Sequence, residues 1–229
     1  MAGVIAHNLF HRVGDPRRGL DVLRDVSLEA PAGAVTAVVG PAGAGKTSLL
    51  HVLAGLDRPS AGTVTIDGRT LRGLDDIELT RLRRDRIGLL LPAASVLPTI
   101  TVRENVALPL LIARRPPAPE AIEALLDRVG LTDRRDDRPG QLTAAERQRA
   151  ALARALAGSP SLLLADEPAG DLDPDEGCAL LMLLREIALE DGITVVLFTR
   201  DIDDAAAIAD QIVVLDAGCV VPAAAQLAA

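Results

Sequence analysis

One octapeptide constrains this chain more than any other stretch: Gly40-Pro41-Ala42-Gly43-Ala44-Gly45-Lys46-Thr47. Among twenty-four lysines and arginines, Lys46 is the sole lysine. A composition that has turned to arginine everywhere else keeps the compact ammonium at this one place. Glycines at the first and sixth positions, with Lys-Thr behind them, let backbone N–H groups wrap a triphosphate. The ammonium reaches its β and γ phosphates and the hydroxyl is offered to Mg²⁺. The planar fork of arginine does not fill such a nest equally well. The motif gains meaning from its context, because residues 34–39 read as a strand running into the loop and residues 46–53 as a helix ending near Gly55.

The rest of the chain alternates in the same way. Residues 20–28 are β-rich, 63–66 with Asp67-Gly68 read as a hairpin, 75–84 as a helix and 87–91 as a short apolar strand. A mostly helical stretch, 102–156, comes next. In it Pro116, Pro117 and Pro119 mark a loop before a helix over 120–129, and Thr143 and Glu146 are spaced as a capping box for an alanine-rich helix over 144–157. Leu162-Leu163-Leu164-Ala165 is a buried strand ending in Asp166-Glu167, Asp173-Pro174 starts a helix, and 193–198 and 211–215 complete the strands. Strands alternating with helices predict an α/β fold with a mostly parallel sheet.

Composition narrows the function. The 229 residues suffice for one good core without disulfide or metal staples. A net charge of −8 argues against a nucleic-acid partner, and the run of Arg81, Arg83, Arg84 and Arg86, interleaved with Leu82 and Asp85, reads as a solvated helix face. Residues 1–18 lack the features of a signal peptide, which predicts a cytosolic chain with Cys178 and Cys219 as free thiols. Residues 87–102 are uncharged, but Gly88, Pro92 and Pro98 interrupt them, so no membrane span is expected. Phe10 and Phe198 are the only aromatics, and the core must be aliphatic.

Four blocks in order then carry a likeness: the glycine loop; 87–106 with Leu97-Pro98 and Thr101-Val102-Arg103-Glu104-Asn105-Val106; 142–156; and 162–168 with Gly170-Asp171-Leu172-Asp173 after it. Together they make the chain resemble the ATP-binding subunit of an ABC transporter over nearly its whole length. The second block is similar to the lipoprotein-release and macrolide-efflux branch. The resemblance implies a P-loop NTPase core with an antiparallel β subdomain and an inserted helical subdomain. One domain, 1–229, is expected, with its nucleotide-binding core and β subdomain in 1–91 and 159–229 and its helical subdomain in 92–158. It implies ATP and Mg²⁺ as cofactors, held by Gly40, Pro41, Ala42, Gly43, Ala44, Gly45, Lys46, Thr47, Ser48 and Asp166. Thr47 and Asp166 would serve the metal, Glu167 would polarise the attacking water, and Asp173 would lie at a dimer contact. The alternative for Asp166-Glu167 is a pair of solvated strand-end carboxylates.

Three further family positions carry other residues. Pro92 stands where a glutamine is usual and offers no side-chain donor or acceptor. The signature Leu-Ser-Gly-Gly-Gln or -Glu reads Leu142-Thr143-Ala144-Ala145-Glu146, which puts two Cβ atoms where glycines let N–H groups approach a partner's γ phosphate. The alternative is a well-capped helix with a packing role only. Arg200, in Thr199-Arg200-Asp201, replaces a histidine switch; it is either a permanent cation for the phosphate or a surface arginine. The adenine-stacking aromatic is expected at Val13, with Phe10 or His11 nearby.

The expectation is therefore an ATP-binding subunit, peripheral on the cytoplasmic face, that couples Mg-ATP binding and slow hydrolysis to an integral-membrane subunit. It would pair head to tail with a second ATP-binding subunit, in a homodimer or a heterodimer. A nucleotide-binding regulator with little hydrolysis of its own is the rival, and turnover separates the two. DNA-repair and chromosome ATPases with this cassette would need coiled-coil or zinc-bearing inserts that the chain lacks.

Overall fold

The computed structural model describes residues 2–14, 19–91 and 96–222. Its larger sheet has six strands in the order β10-β9-β3-β8-β7-β6, where β3 is Val35–Val39, β6 Ile87–Leu90, β7 Leu162–Asp166, β8 Thr194–Thr199, β9 Gln211–Asp216 and β10 Cys219–Val221. Every pairing from β9 through β6 is parallel, and only the hairpin strand β10 runs antiparallel. Strands β3 and β8 are buried at every residue, as their unbroken apolar runs require when both faces are covered. The second sheet is antiparallel, in the order β2-β1-β4-β5, with β1 Ala2–Val13, β2 Leu20–Pro31, β4 Ala61–Ile66 and β5 Arg69–Thr70.

The chain thus has the α/β P-loop architecture expected. Helix α1, Lys46–Leu53, packs between the two sheets and contributes Leu49, Leu50 and Leu53 to a core shared with Phe198 and the inner face of the antiparallel sheet. On the other side, a second core gathers α3 (Val102–Ile112), α4 (Pro119–Arg128), α5 (Ala144–Leu156), α6 (Pro174–Asp191) and α7 (Ile202–Ile208) around Leu126, Leu152, Leu163 and Leu197. Both cores are aliphatic apart from Phe198.

The helix starts obey local chemistry. Helix α2, Asp76–Arg86, α3 and α5 each begin with a reciprocal capping box, Asp75 with Glu78, Thr101 with Glu104 and Thr143 with Glu146. Helix α4 starts one residue earlier than read from sequence, because Pro119 occupies its first turn and needs no N–H partner there. Three arginines of α2 have partners, Arg83 donating to the Gly55 carbonyl, Arg84 meeting Asp85 and Arg86 lying near Asp67, while Leu79 and Leu82 face inward.

Strand β1 escaped the sequence reading. Val4 and Ala6 are buried, but at Asn8 the backbone turns left-handed, φ 45°, and the register against β2 shifts. Burial resumes at Leu9 and His11, so the bulge breaks the alternation that marks a strand. Among the described residues no helix is long and apolar enough to cross a membrane, and Cys178 and Cys219 are free.

Candidate functional site

The parallel strands β3, β7 and β8 end on one side of the sheet, where the segments leaving them meet. After β3 comes the glycine loop, after β7 Glu167, after β8 Arg200. A cleft of about 500 Å³ is lined by Ala42, Gly43, Gly45, Lys46, Thr47, Ser48, Asp166, Glu167 and Arg200, with Leu20 and Val22 of β2 beside them.

Each loop glycine has its own reason. A Cβ on Gly40 would come 2.1 Å from the Leu215 carbonyl oxygen of β9, and one on Gly45, at φ 104°, 2.7 Å from the Val22 carbonyl oxygen. These two glycines let neighbouring backbone pass. Gly43, at φ 80°, has nothing within 4 Å of its would-be Cβ, so it borders open cleft. Gly45 then caps α1, whose first turn holds no acidic side chain and receives no side-chain cap. The N–H groups of that turn lack partners inside the helix and sit at its positive end.

Lys46 is buried at 7 % exposure. Its Nζ donates to the carbonyl oxygens of Gly40 at 2.7 Å and Pro41 at 3.2 Å and lies 3.4 Å from Glu167 Oε1. Thr47 Oγ1 donates to Asp166 Oδ2 at 3.4 Å. Burial pushes the Asp166 carboxyl above its ordinary range and neighbouring Glu167 adds to the push, against the Thr47 hydroxyl and Lys46, which pull it down. Glu167 is a non-glycine residue at φ 44°, held there by its N–H donating to the Phe198 carbonyl at 2.8 Å. Left-handed backbone on such a residue is strain that surrounding contacts must hold in place.

The donor set fits Mg-ATP. A nest bordered by Gly43, an uncapped helix N-terminus and a buried ammonium suit a polyphosphate, while a hydroxyl touching a carboxylate offers two oxygen ligands of the kind Mg²⁺ takes.

Other expected positions lie elsewhere. Thr143, Ala144, Ala145 and Glu146 open α5 and contribute nothing to the cleft. The Thr143 backbone N–H, donating to Glu146 Oε2 at 2.8 Å, draws the Glu146 carboxyl below its usual range, with Arg134 at 3.2 Å assisting. Asp173 caps α6 by accepting from the Glu176 N–H and lines, with Glu167 and Arg200, a second recess of about 850 Å³. Pro92 lies outside the described residues. Val13, Phe10 and His11 do not line the cleft; the apolar side chains beside the loop are Leu20 and Val22, which only the packing of β2 against it brings there. Sequence reasoning also passed over Gln148, 2 % exposed on α5, whose Nε2 donates to the Leu91 carbonyl at 3.4 Å while Oε1 is buried with no partner among the described residues. A polar residue amid the alanines of that helix was the available signal.

The ABC transporter family model matches residues 23–170. The lipoprotein-releasing system ATP-binding protein LolD of Myxococcus xanthus is 44 % identical over 88 % of this chain and 91 % of its own length. The methionine import ATP-binding protein MetN 1 of Rhodococcus jostii is 42 % identical over 92 % of this chain, which spans only 62 % of that longer protein. Among solved structures, the dimeric bacterial ABC transporter cassette MJ0796 superposes with a TM-score of 0.87 at 34 % identity, covering 96 % of this chain and 97 % of the other. The same cassette has been solved as a post-hydrolysis dimer bound to ADP and phosphate, with a TM-score of 0.86. The chain belongs to the ABC transporter family, as one of its ATP-binding subunits.

Proposed function

We propose that this subunit binds Mg-ATP on the glycine loop, hydrolyses it slowly through Glu167 and couples both events to an integral-membrane partner. The observation that carries this reading is the convergence of Lys46, Thr47, Asp166 and Glu167 at the ends of β3 and β7. Lys46 would leave the carbonyls of Gly40 and Pro41 to meet the β and γ phosphates. Thr47 and Asp166 would hold the metal, and bound Mg²⁺ would supply charge neutralisation for a loose phosphoryl transfer. Glu167 would orient water, since such a transfer needs positioning and electrostatics rather than a covalent nucleophile.

The slow rate is our reading of three substitutions. Pro92 offers no side-chain donor or acceptor, Arg200 puts a guanidinium where an imidazole is usual, and Ala144 and Ala145 add two Cβ atoms at the N-terminus of α5. Because Thr143 to Glu146 stand outside the chain's own cleft, we assign them to the nucleotide of a second subunit, with Asp173 beside the contact. The dimeric form of the MJ0796 cassette supports that pairing.

For the membrane partner we assign the recess of about 430 Å³ in which Leu56, Leu89, Leu91, Pro109 and Ile112 are joined by Arg83, Arg84 and Arg154, and whose Leu91 directly precedes residues 92–101. Ile112 is 72 % exposed there, which an unpartnered surface seldom tolerates alongside other apolar groups. The subunit would then lie peripherally on the cytoplasmic face, as one domain with residues 92–158 forming its helical lobe. Calorimetric titration of Mg-ATP into the chain and its Lys46→Ala variant tests the site: binding that survives the substitution unaltered would overturn it.

A further inference from the structure

The contacts of Arg200 go beyond the loss of a histidine. Its Nε lies 3.2 Å from Glu167 Oε1, and its backbone N–H donates to Oε2 at 3.2 Å. Lys46 Nζ lies 3.4 Å from the same Oε1. Both oxygens of the water-orienting candidate are thus engaged, one of them by two cations. The arrangement is built into the sheet, because β7 and β8 pair with Asp166 opposite Phe198, which sets Glu167 and Arg200 at neighbouring strand ends. Glu167 is fixed further by its left-handed backbone and its bond to Phe198.

Arg200 has other acids within the recess that it lines, Asp173, Asp201, Asp203 and Asp204. Asp173 and Asp201 are occupied as caps of α6 and α7. The guanidinium turns instead to Glu167, and its side chain, 60 % exposed, lines the same cleft as the glycine loop. An arginine stays charged at every working pH, so no deprotonation releases this pair as it would release an imidazole. A competing anion, rather than a change of pH, is what draws the arginine away.

We propose that Arg200 is a positioning residue that holds Glu167 in the resting site and is drawn off by the terminal phosphate of ATP, making the ion pair a determinant of ATP-over-ADP preference. The inference rests on the nucleotide-binding reading above. Lys46 would meet the β phosphate that both nucleotides carry as well as the γ phosphate, so its own pairing with Glu167 opposes both nucleotides and adds a share of ATP preference that does not depend on Arg200. Arg200 answers to the γ phosphate, which ADP lacks. Competition from Glu167 therefore weakens ATP selectively.

The test is a double-mutant cycle on the dissociation constants of Mg-ATP and Mg-ADP for the full chain, Glu167→Gln, Arg200→Gln and the double variant, with thermal melts to verify folding. Glu167→Gln should raise the ATP-over-ADP preference about two- to fivefold, the range that a partly exposed ion pair commands. The rise should shrink in the Arg200→Gln background to the share owed to Lys46, and should be better preserved in Arg200→Lys, which keeps the charge. An equal rise in both backgrounds, or none in either, overturns the role of Arg200 while leaving ATP binding intact. Absence of Lys46-dependent ATP binding in the unsubstituted chain would overturn the underlying reading and this inference with it.

Discussion

Restoring glycine at Ala144 and Ala145 sets stability against activity in one variant. Ala145 is 2 % exposed at the second position of α5, so Ala145→Gly empties a packed methyl site, worth about 0.8 kcal/mol. It also adds the conformational cost of glycine, up to about 1 kcal/mol in a helix. Ala144, half-buried at the first position, adds a smaller share of the same cost. The capping box of Thr143 and Glu146, with bonds of 3.1 and 2.8 Å, remains, so the helix should still start in place. The sum is about 2 kcal/mol, or a fall of about 4–8 °C in Tm for a chain of this size. If the two Cβ atoms keep N–H groups from a partner's γ phosphate, Mg-ATP turnover should rise at least about tenfold. A single transition-state donor commands more, but on the proposed reading Pro92 and Arg200 would still limit the same reaction. Differential scanning calorimetry and a coupled phosphate-release assay read the two effects. A Tm that falls as expected with turnover unaltered refutes the alanines as a limit on hydrolysis. An unchanged Tm refutes the packing account of Ala145.

The loop glycines separate in the same spirit. Gly43→Ala meets open space, so it should cost only the left-handed strain, about 1–2 kcal/mol, yet weaken ATP binding because its Cβ borders the cradle. Gly45→Ala drives a Cβ to 2.7 Å from the Val22 carbonyl and should lower Tm clearly more; equal melting temperatures for the two variants would contradict the distinction. Asp166→Asn should stabilise the nucleotide-free chain at neutral pH. Its carboxyl is raised in the folded state, so the folded chain binds the proton more readily than the unfolded chain. The wild type therefore loses stability as pH rises from the ordinary carboxylate value, 3.8, through the raised folded value. The advantage of the variant should shrink as pH falls through that window, and an advantage independent of pH would contradict the assignment to Asp166.

What could be read from the sequence was what is local. The glycine loop, the strand before Asp166 and the caps at Thr143 and Asp173 are patterns within a few residues, and the elements they predict form. Strand β1 was hidden because the Asn8 bulge shifts its burial from Val4 and Ala6 to Leu9 and His11, defeating a strict period of two. The glycine loop itself was legible, but not that Leu215 and Val22 crowd Gly40 and Gly45 from strands distant in sequence. Leu20 and Val22 reach the cleft only through the packing of β2, which no spacing within the chain encodes. The pairing of Arg200 with Glu167 depends likewise on β7 lying beside β8, a choice the sheet makes rather than either motif.

The central claim is that Glu167 acts on ATP held by Lys46. Steady-state Mg-ATP hydrolysis by the purified chain beside its Glu167→Gln variant, with ATP affinity measured in parallel, addresses it most directly. The account predicts slow turnover in the chain and none above background in the variant, with ATP still bound by both. Turnover indifferent to Glu167 would contradict it.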